Sequence, residues 1–303
     1  MLPFWIIAFV ISLAILIKAS DYFTNYAEKL GIAIGIPQFI VGVTIVSVGT
    51  SLPELMTSII ATSEGISEVV AANVVGSNIA NVLLIVGVCA VVSRRLSITR
   101  DLINIDIPLL AGATALLLVI LWDGVVTGVE GIIAIVAYLV YAHYSSKSKE
   151  MRGRKEKVSA KTLVGLIVSC ILVYAGAKFT IESMINLSQI LGIGVSIISV
   201  TAVAIGTSLP ELAVSLSASK KKNYEMALGN IFGSNIFNGT IVIGLPSLIS
   251  DLVVSPDILM IGIPFLIIST ALYVVSGISR KIHNWEGAFY LLIYLLFILK
   301  LLF

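Results

Sequence analysis

The chain carries the same seven residues twice, as GTSLPEL at 49–55 and again as GTSLPEL at 206–212. Each copy places a proline and a glutamate, Glu54 or Glu211, inside an apolar stretch long enough to cross a bilayer. A carboxylate at membrane depth costs roughly 2.5 to 3.5 kcal/mol on insertion scales, so it is a functional-site candidate whose partner must be identified. The pair predicts a buried cation site between the two copies.

The composition is that of a membrane protein. Hydrophobic residues make up 58% of the 303 residues and charged residues only 12%. A spanning helix needs roughly 20 apolar residues, and the apolar segments of this chain approach that length without the alternation of barrel strands. We therefore expect an all-α integral membrane protein with ten transmembrane helices, at about 2–20, 37–61, 68–92, 104–122, 127–144, 162–180, 195–219, 224–249, 257–278 and 285–303.

Positive charge is concentrated in alternate predicted loops, as the positive-inside rule expects. The loops after spans three, five, seven and nine hold 15 of the 19 Lys and Arg residues, seven of them between Lys147 and Lys161. This pattern predicts a multi-pass protein of the cell (plasma) membrane. The loop 145–161 is expected in the cytoplasm and both termini outside.

A second motif repeats with the same spacing. NVVGSNIAN at 73–81 returns as NIFGSNIFN at 230–238, and both motifs lie 157 residues from their copies. An odd number of predicted spans separates the copies, so one half is inverted relative to the other, as in many secondary transporters with broken helices near the midplane. We predict a first repeat at 1–144 (spans one to five), a basic loop at 145–161 and a second repeat at 162–303 (spans six to ten). Broken helices 2, 3, 7 and 8 are expected to form the core.

The residues around each proline indicate how a cation is held. Proline has no N–H and clashes with the carbonyl four residues back, so we expect each helix to open near Thr50 or Thr207. Residues four apart share a helix face. The pairs brought together in this way are Thr50 with Glu54, Thr207 with Glu211, Ser77 with Asn81, and Ser234 with Asn238. Carboxylate, hydroxyl, amide and peptide oxygens suit hard cations such as Ca²⁺ and Na⁺, and argue against zinc or copper.

These two motifs resemble the α-repeats of the cation/calcium exchanger superfamily, and the resemblance covers essentially the whole chain. It is strongest to the compact prokaryotic sodium/calcium exchangers. It implies a ten-helix, inverted-repeat antiporter with alternating access, in which Ca²⁺ and Na⁺ compete for overlapping sites between spans two, three, seven and eight. It also implies that spans one and six are the pair that slides.

The resemblance assigns a role to each matching residue. Glu54 and Glu211 would be the shared carboxylates, and Thr50 and Thr207 would add backbone oxygens to the calcium site. The flanking sodium sites and the central position would be completed by the remaining matches: Ser51, Ser77, Ser208 and Ser234, the carbonyls near Ser47 and Ala204, and the central Asn81 and Asn238.

Asn238 departs from part of the superfamily, because many relatives, potassium-dependent exchangers among them, have aspartate there. The predicted centre therefore holds two carboxylates, whose charge is balanced by one Ca²⁺ or by two Na⁺. This count weakens the case for potassium co-transport. Burial disfavours a charged carboxylate, so the two glutamates could carry protons, and a proton/calcium or potassium-dependent antiporter of the same superfamily is the alternative.

Two other functional classes are less well supported. Paired acids can do acid/base chemistry, but the sequence has no Ser-His or HExxH arrangement, so we expect no enzyme. A cation channel also uses carboxylates and carbonyls, but it does not need two equivalent gates. We expect Ca²⁺ and Na⁺ as substrates and the lipid bilayer as surroundings, with no cofactor, no nucleic acid and no obligate protein partner.

Overall fold

The computed structural model describes residues 2–33, 46–97, 107–147, 158–222 and 224–303. In these residues, seven helices are long and apolar enough to cross a membrane: Leu2–Gly31, Glu68–Ser93, Ala160–Leu191, Val195–Lys220, Met226–Ser247, Ile258–Ile278 and Asn284–Leu302. Two shorter apolar helices are Ile107–Leu121 and Gly128–Tyr144. The chain is a multi-pass membrane protein built from helices.

The elements of the two halves follow one another in the same order. The first half contains α1 (Leu2–Ala33), α2 (Val46–Thr50), α3 (Leu52–Ser63), α4 (Glu68–Ile79), the π-helical segment π1 (Ala80–Val86), α5 (Gly87–Ser93), β1 (Arg95–Ser97), α6 (Ile107–Leu121), β2 (Val125–Val126) and α7 (Gly128–Lys147). The second half contains α8 (Ala160–Leu191), α9 (Val195–Ile198), π2 (Ser199–Val203), α10 (Ala204–Thr207), α11 (Leu209–Lys220), α12 (Tyr224–Phe237), π3 (Asn238–Val242), α13 (Ile243–Ser247), β3 (Leu252–Val253), π4 (Ile258–Gly262), α14 (Ile263–Ile278), β4 (Lys281–His283) and α15 (Asn284–Leu302). The offset of 157 residues carries α3 onto α11 residue for residue.

Helices α1 and α8 are longer than the predicted spans at 2–20 and 162–180. The prediction ended each span where polar residues begin, but a helix satisfies its own backbone bonds and continues past the apolar region. In α1 the polar extension includes an ion pair one turn apart, Lys18 to Asp21 at 3.6 Å. The first part of the predicted span 37–61 lies outside the described residues.

Two short antiparallel strand pairs, absent from the all-α prediction, join the two halves. Strand β1 pairs with β4, with Arg95 opposite His283, and β2 pairs with β3, with Val126 opposite Leu252. Because β1 and β3 are 157 residues apart, the two pairs occupy equivalent positions in the halves. Strands of two or three residues are too short to show a period of two, which is why the sequence pattern did not predict them.

The segments α4–α5 and α12–α13 run in opposite directions. The backbone N–H of Val253, just after α13, donates to Ser67 Oγ, just before α4, at 3.2 Å. At the other end, the hydroxyl of Ser93, which closes α5, forms a hydrogen bond with that of Ser219, shortly before α12. The start of each segment therefore lies beside the end of the other.

These contacts bring three of the four predicted basic loops to the same end of the molecule. The basic residues there are Arg94, Arg95, Lys220, Lys221, Lys222, Arg280 and Lys281. Acidic residues mark the opposite end, beside the β2–β3 pair and the start of α4: Glu64, Glu68, Asp123 and Asp251. The basic loop 145–161 lies largely outside the described residues.

Glycines bring helices of the two halves into close contact at two equivalent places. A Cβ added at Gly87 in α5 would lie 3.0 Å from the Gly287 carbonyl oxygen in α15. A Cβ added at Gly244 in α13 would lie 2.8 Å from the Gly131 carbonyl oxygen in α7. Small residues allow such close approach of membrane helices, so these glycines set the distance between the halves.

The long helices α1 and α8 pack against each other along their length. A Cβ added at Gly176 in α8 would lie 2.9 Å from the Leu16 backbone in α1, and Thr180 Oγ1 donates to Ser12 Oγ at 3.1 Å. Their other faces, like those of α7 and α15, expose large apolar side chains. Helices α4 and α12, in contrast, are almost entirely buried, so the polar residues that they carry are kept away from lipid.

Candidate ion-binding site

The two GTSLPEL motifs interrupt their helices at single residues. Ser51 separates α2 from α3 and Ser208 separates α10 from α11, in each case two residues before the proline of the motif. The adjacent helical hydrogen bonds are kept: Ser51 N donates to Ser47 O at 3.2 Å, and Ser208 N donates to Ala204 O at 3.1 Å. The interruption of helical hydrogen bonding is therefore shorter than predicted. The proline lies in the first turn of a new helix, where its missing N–H is tolerated.

The Glu211 carboxylate is held by hydroxyls from both halves. Glu211 is fully buried. Its Oε1 accepts a hydrogen bond from Ser51 Oγ at 2.9 Å and another from Ser234 Oγ at 3.3 Å. Ser51 belongs to the first motif and Glu211 to the second, so the two motifs meet in the interior of the protein.

The Glu54 carboxylate has the equivalent neighbours at longer distances. It is also fully buried, and its Oε1 lies 3.5 Å from Ser208 Oγ and 3.5 Å from Ser77 Oγ. Within the described ranges, no three His, Cys, Asp or Glu side chains come together as a metal cluster. The two glutamates and the neutral oxygens around them are therefore the candidate ligands.

Several buried oxygens around the two glutamates have no hydrogen-bond partner in the part of the chain that the structure describes. They are Oε2 of Glu54, Oε2 of Glu211, and Oδ1 of Asn78, Asn81 and Asn238. A buried charged oxygen without a partner is costly unless an ion or water satisfies it. Carboxylate and amide oxygens are ligands that Ca²⁺ and other hard cations prefer, so this set can hold such a cation.

Asn81 and Asn238 both lie in π-helical segments. π1 begins at Ala80 and π3 begins at Asn238 itself, so the α-helical spacing used to pair each asparagine with its serine does not continue there. Asn81 Nδ2 donates to Asn235 Oδ1 at 2.8 Å, whereas neither polar side-chain atom of Asn238 has a partner among the described residues. π-helical turns are frequent at functional sites.

Thr50 and Thr207 are buried beside the interruptions. Thr50 Oγ1 lies 3.2 Å from Ser47 O in its own half and 3.3 Å from Asn230 Oδ1 in the other half, whereas Thr207 Oγ1 donates to Val203 O in its own half at 3.1 Å. All twelve residues predicted for the site are buried: Ser47, Thr50, Ser51, Glu54, Ser77, Asn81, Ala204, Thr207, Ser208, Glu211, Ser234 and Asn238. Their roles as ion ligands stay predictions.

Asn73 and Asn230, for which no role was predicted, attach the carboxylate helices to α4 and α12. Each donates from Nδ2 to the main-chain carbonyl of the glutamate in its own half, at 3.2 and 3.5 Å respectively. Each also donates to a serine one turn after that glutamate, Ser58 or Ser215, at 3.2 Å. The signal for them was present, since they are the first residues of the second repeated motif.

A second asparagine pair joins the halves to each other. Asn78 Nδ2 donates to the Asn235 carbonyl at 3.2 Å, and Asn235 Nδ2 donates to the Asn78 carbonyl at 3.4 Å. These residues are 157 apart and exchange equivalent bonds, so they lie where the two halves face each other. This places the glutamates, serines and asparagines of both motifs around one centre.

Comparison with protein families matches both halves of the chain separately. The family described as sodium/calcium exchanger protein matches residues 4–147 and residues 161–303. This chain belongs to the sodium/calcium exchanger family. The two matched regions agree with the two repeats found by the 157-residue offset.

Individual relatives of this exchanger-family chain include curated proteins and solved structures. The sodium/calcium exchanger MaX1 of Methanosarcina acetivorans is 31% identical over 338 residues, covering 96% of each chain. The inner membrane protein YrbG of Escherichia coli is 30% identical, over 82% of this chain and 80% of that protein. The sodium-calcium exchanger NCX_Mj, in a crystal soaked with 100 mM Na⁺ and 10 mM Sr²⁺, is 27% identical with a TM-score of 0.70, over 98% of each chain. The resemblance to the prokaryotic exchangers is confirmed, and the chain is a cation/calcium exchanger.

Proposed function

We propose that this chain exchanges Na⁺ for Ca²⁺ across the membrane by alternating access, with the ions bound in mid-membrane between the two GTSLPEL motifs. The observation that carries the proposal is the pair of fully buried glutamates, Glu54 and Glu211, each with one carboxylate oxygen that has no partner in the described part of the chain. Residues of both halves surround them. The matched relatives MaX1 and NCX_Mj are named as sodium/calcium exchangers, which supports the same pair of ions here.

Charge balance explains why the two ions exchange. One Ca²⁺ or two Na⁺ neutralise the two carboxylates, so either load allows the site to pass through a closed, dry intermediate. An empty site carries two unbalanced charges, and burying them without water is strongly unfavourable. The empty carrier therefore does not cross, and uncoupled leak is suppressed.

The proposed topology has ten spans in two inverted repeats, 1–144 and 162–303, with a cytoplasmic loop at 145–161. Opposite directions of α4–α5 and α12–α13 support the inversion. The basic residues gathered at one end support a cytoplasmic location of that end, with both termini outside the cell membrane. We propose a transporter and no enzymatic activity, with Ca²⁺ and Na⁺ as substrates and no cofactor or obligate protein partner.

Uptake of ⁴⁵Ca²⁺ into proteoliposomes under an imposed sodium, proton or potassium gradient tests this function. We expect uptake driven by internal sodium, and little from a proton or potassium gradient alone. Uptake that follows the proton gradient would support the proton/calcium alternative instead. Uptake without any counter-ion on the opposite side would indicate a channel and contradict exchange.

A further inference from the structure

Side-chain hydrogen bonds between the two halves are unequal around the two glutamates. Two bonds there between side chains have their donor in the first half and their acceptor in the second. Asn81 Nδ2 donates to Asn235 Oδ1 at 2.8 Å, and Thr50 Oγ1, which also lies 3.2 Å from Ser47 O of its own half, lies 3.3 Å from Asn230 Oδ1. Both bonds lie within the ring of residues that surrounds the two glutamates.

The repeat-related bonds, with donor and acceptor halves exchanged, are not made. Thr207 is equivalent to Thr50, but its hydroxyl donates within its own half, and its expected acceptor, Asn73 Oδ1, is buried without a partner in the described residues. Asn238 is equivalent to Asn81, but both its side-chain polar atoms and Asn78 Oδ1 are unpartnered there.

The carboxylate contacts between the halves are unequal in the same sense. The first-half donor Ser51 reaches Glu211 at 2.9 Å, while the second-half donor Ser208 stands 3.5 Å from Glu54. Bonds within one half differ less: Asn73 to Ser58 and Asn230 to Ser215 are both 3.2 Å, and the glutamate contacts of Ser77 and Ser234 are 3.5 and 3.3 Å. The largest of these differences is in the contacts between the halves.

Packing around the motif helices differs in the same way. The outer part of α3 is covered, and Ile60 and Ala61 pack with Leu16 of α1 and Ala177 of α8 in one buried cluster. The equivalent part of α11 borders a groove of about 360 Å³, where Ser217 is exposed but Ala218 is buried like Ala61; the groove is lined by Ala213, Val214, Ser217, Ala218, Lys221 and Met226. The groove lies at the basic end of the molecule.

We propose that two mutually exclusive sets of cross-half hydrogen bonds determine which end of the exchanger is open. The set Thr50–Asn230 and Asn81–Asn235 holds the state seen here, with the outer part of α3 covered and that of α11 bordering the groove. The set Thr207–Asn73 and Asn238–Asn78 holds the opposite state. Asn73 and Asn230 are thus positioning residues of the transport cycle; this inference rests on the proposed alternating access.

The two states should have similar free energies, because each state leaves an equivalent set of amide groups without partners. In either state one set of polar groups is paired and the equivalent set is buried without partners, which costs about the same because the residue types are identical. The two states are then nearly balanced. Ion occupancy, and not a fixed difference in internal bonding, decides which one is populated.

Thiol accessibility in reconstituted protein tests this proposal. Ala61→Cys and Ala218→Cys are matched probes, 157 residues apart, introduced singly into a background with Cys89→Ala and Cys170→Ser. Their rates of reaction with a hydrophilic thiol reagent are compared with and without Thr50→Val or Thr207→Val. Each valine substitution removes one hydroxyl at nearly constant volume.

Thr50→Val should raise labelling at the Ala61→Cys probe relative to the Ala218→Cys probe, because it weakens the set of bonds seen here. Thr207→Val should change that ratio in the opposite direction. Loss of one neutral hydrogen bond changes a two-state equilibrium about fivefold, so shifts of about that size are expected. The double variant Thr50→Val with Thr207→Val should return the ratio towards its original value.

Ser58→Ala and Ser215→Ala are the controls, since they remove bonds of equal length within each half. Neither should shift the labelling ratio. Shifts of the same sign for Thr50→Val and Thr207→Val, or no shift in either, would overturn the proposal. That result would leave the exchange function intact if unsubstituted protein still takes up ⁴⁵Ca²⁺ against a sodium gradient, so the two failures are distinguishable.

Discussion

The Glu54 and Glu211 carboxylates belong to identical heptapeptides, but Glu211 accepts hydrogen bonds of 2.9 and 3.3 Å, whereas both hydroxyls beside Glu54 stand at 3.5 Å. Seven shared residues therefore do not guarantee shared geometry. The surroundings differ, because α1 and α8 cover the outer part of α3, whereas the equivalent part of α11 borders a groove. A repeat protein with equal halves thus has, in any one conformation, a tightly held and a loosely held copy of the same site.

The largest effect is expected from neutralising either carboxylate, which tests whether the two unequal half-sites are both required. Glu54→Gln and Glu211→Gln should each abolish sodium-driven ⁴⁵Ca²⁺ uptake. Each removes half of the negative charge that faces the ion, and loss of one partner of a buried charge pair costs about 3–5 kcal/mol, which is roughly 100-fold or more in affinity.

Glu64→Gln is the matched control, because Glu64 is an exposed carboxylate directly after α3. It should leave uptake unchanged. Full sodium-driven uptake by either Glu54→Gln or Glu211→Gln would contradict the assignment of both residues to the site.

The central asparagines should respond differently to the same substitution. Asn81→Asp replaces the amide that donates to Asn235 Oδ1 at 2.8 Å, so it places two oxygens together and should destabilise the protein by about 1–3 kcal/mol. Asn238→Asp breaks no hydrogen bond in the described chain. It should instead add a third carboxylate to the centre and change the cation preference.

Thermal unfolding in detergent and competition of ⁴⁵Ca²⁺ uptake by Na⁺, K⁺ and H⁺ measure these two effects. If competition by all three ions is unchanged in Asn238→Asp, the residue does not line the site. Equal loss of stability in both variants would argue against the different bonding of the two asparagines.

The two close helix contacts between the halves should be equally sensitive to an added methyl group. Gly87→Ala and Gly244→Ala each place a Cβ about 3 Å from a backbone carbonyl of the other half, and we expect a loss of about 1–3 kcal/mol for each. Gly229→Ala is the control, because Gly229 lies in α12 with open space around the position of a Cβ. There, alanine should stabilise the helix by about 0.5–1 kcal/mol, and thermal unfolding separates the two outcomes by sign.

The smallest effect is expected at two equivalent turns with left-handed backbone. Gly65 follows α3 with φ 79°, and Lys222 follows α11 with φ 62°. Gly65→Ala should destabilise the protein by about 1 kcal/mol, since an L side chain disfavours this conformation. Lys222→Gly should change stability by roughly 0.5 kcal/mol or less, because relief of that strain is offset by the greater chain entropy of glycine. A larger loss in Lys222→Gly than in Gly65→Ala would contradict this account.

Much of the fold and of the site could be predicted from internal repetition. The offset between Glu54 and Glu211 predicted the pairing of the halves, and the composition predicted the membrane. The predicted ends of α1 and α8 were wrong, because hydropathy reports where a helix leaves the apolar layer and not where its hydrogen bonding stops. The β1–β4 and β2–β3 pairs were missed since strands so short have no detectable pattern.

The detailed bonding of the site could not be predicted, because it depends on the conformation and on contacts between distant segments. Asn73 and Asn230 stood in a quoted motif, but nothing in the sequence distinguished an amide that holds a helix from one that holds an ion. The π-helical turns at Asn81 and Asn238 likewise arise from packing. Identical motifs also gave no indication that one carboxylate would be held more closely than its copy.

The two strand pairs fasten the halves to each other at opposite ends of the molecule, β1 with β4 at one and β2 with β3 at the other. Helices that are connected at both ends in this way resist sliding past one another along the membrane normal. In the described chain the four strands are adjacent in sequence to six helices: α5, α6, α7, α13, α14 and α15. They are not adjacent to α1 or α8. We propose that this pair, bonded to each other through Ser12 and Thr180, moves along the membrane normal relative to the helices that the strands hold in place.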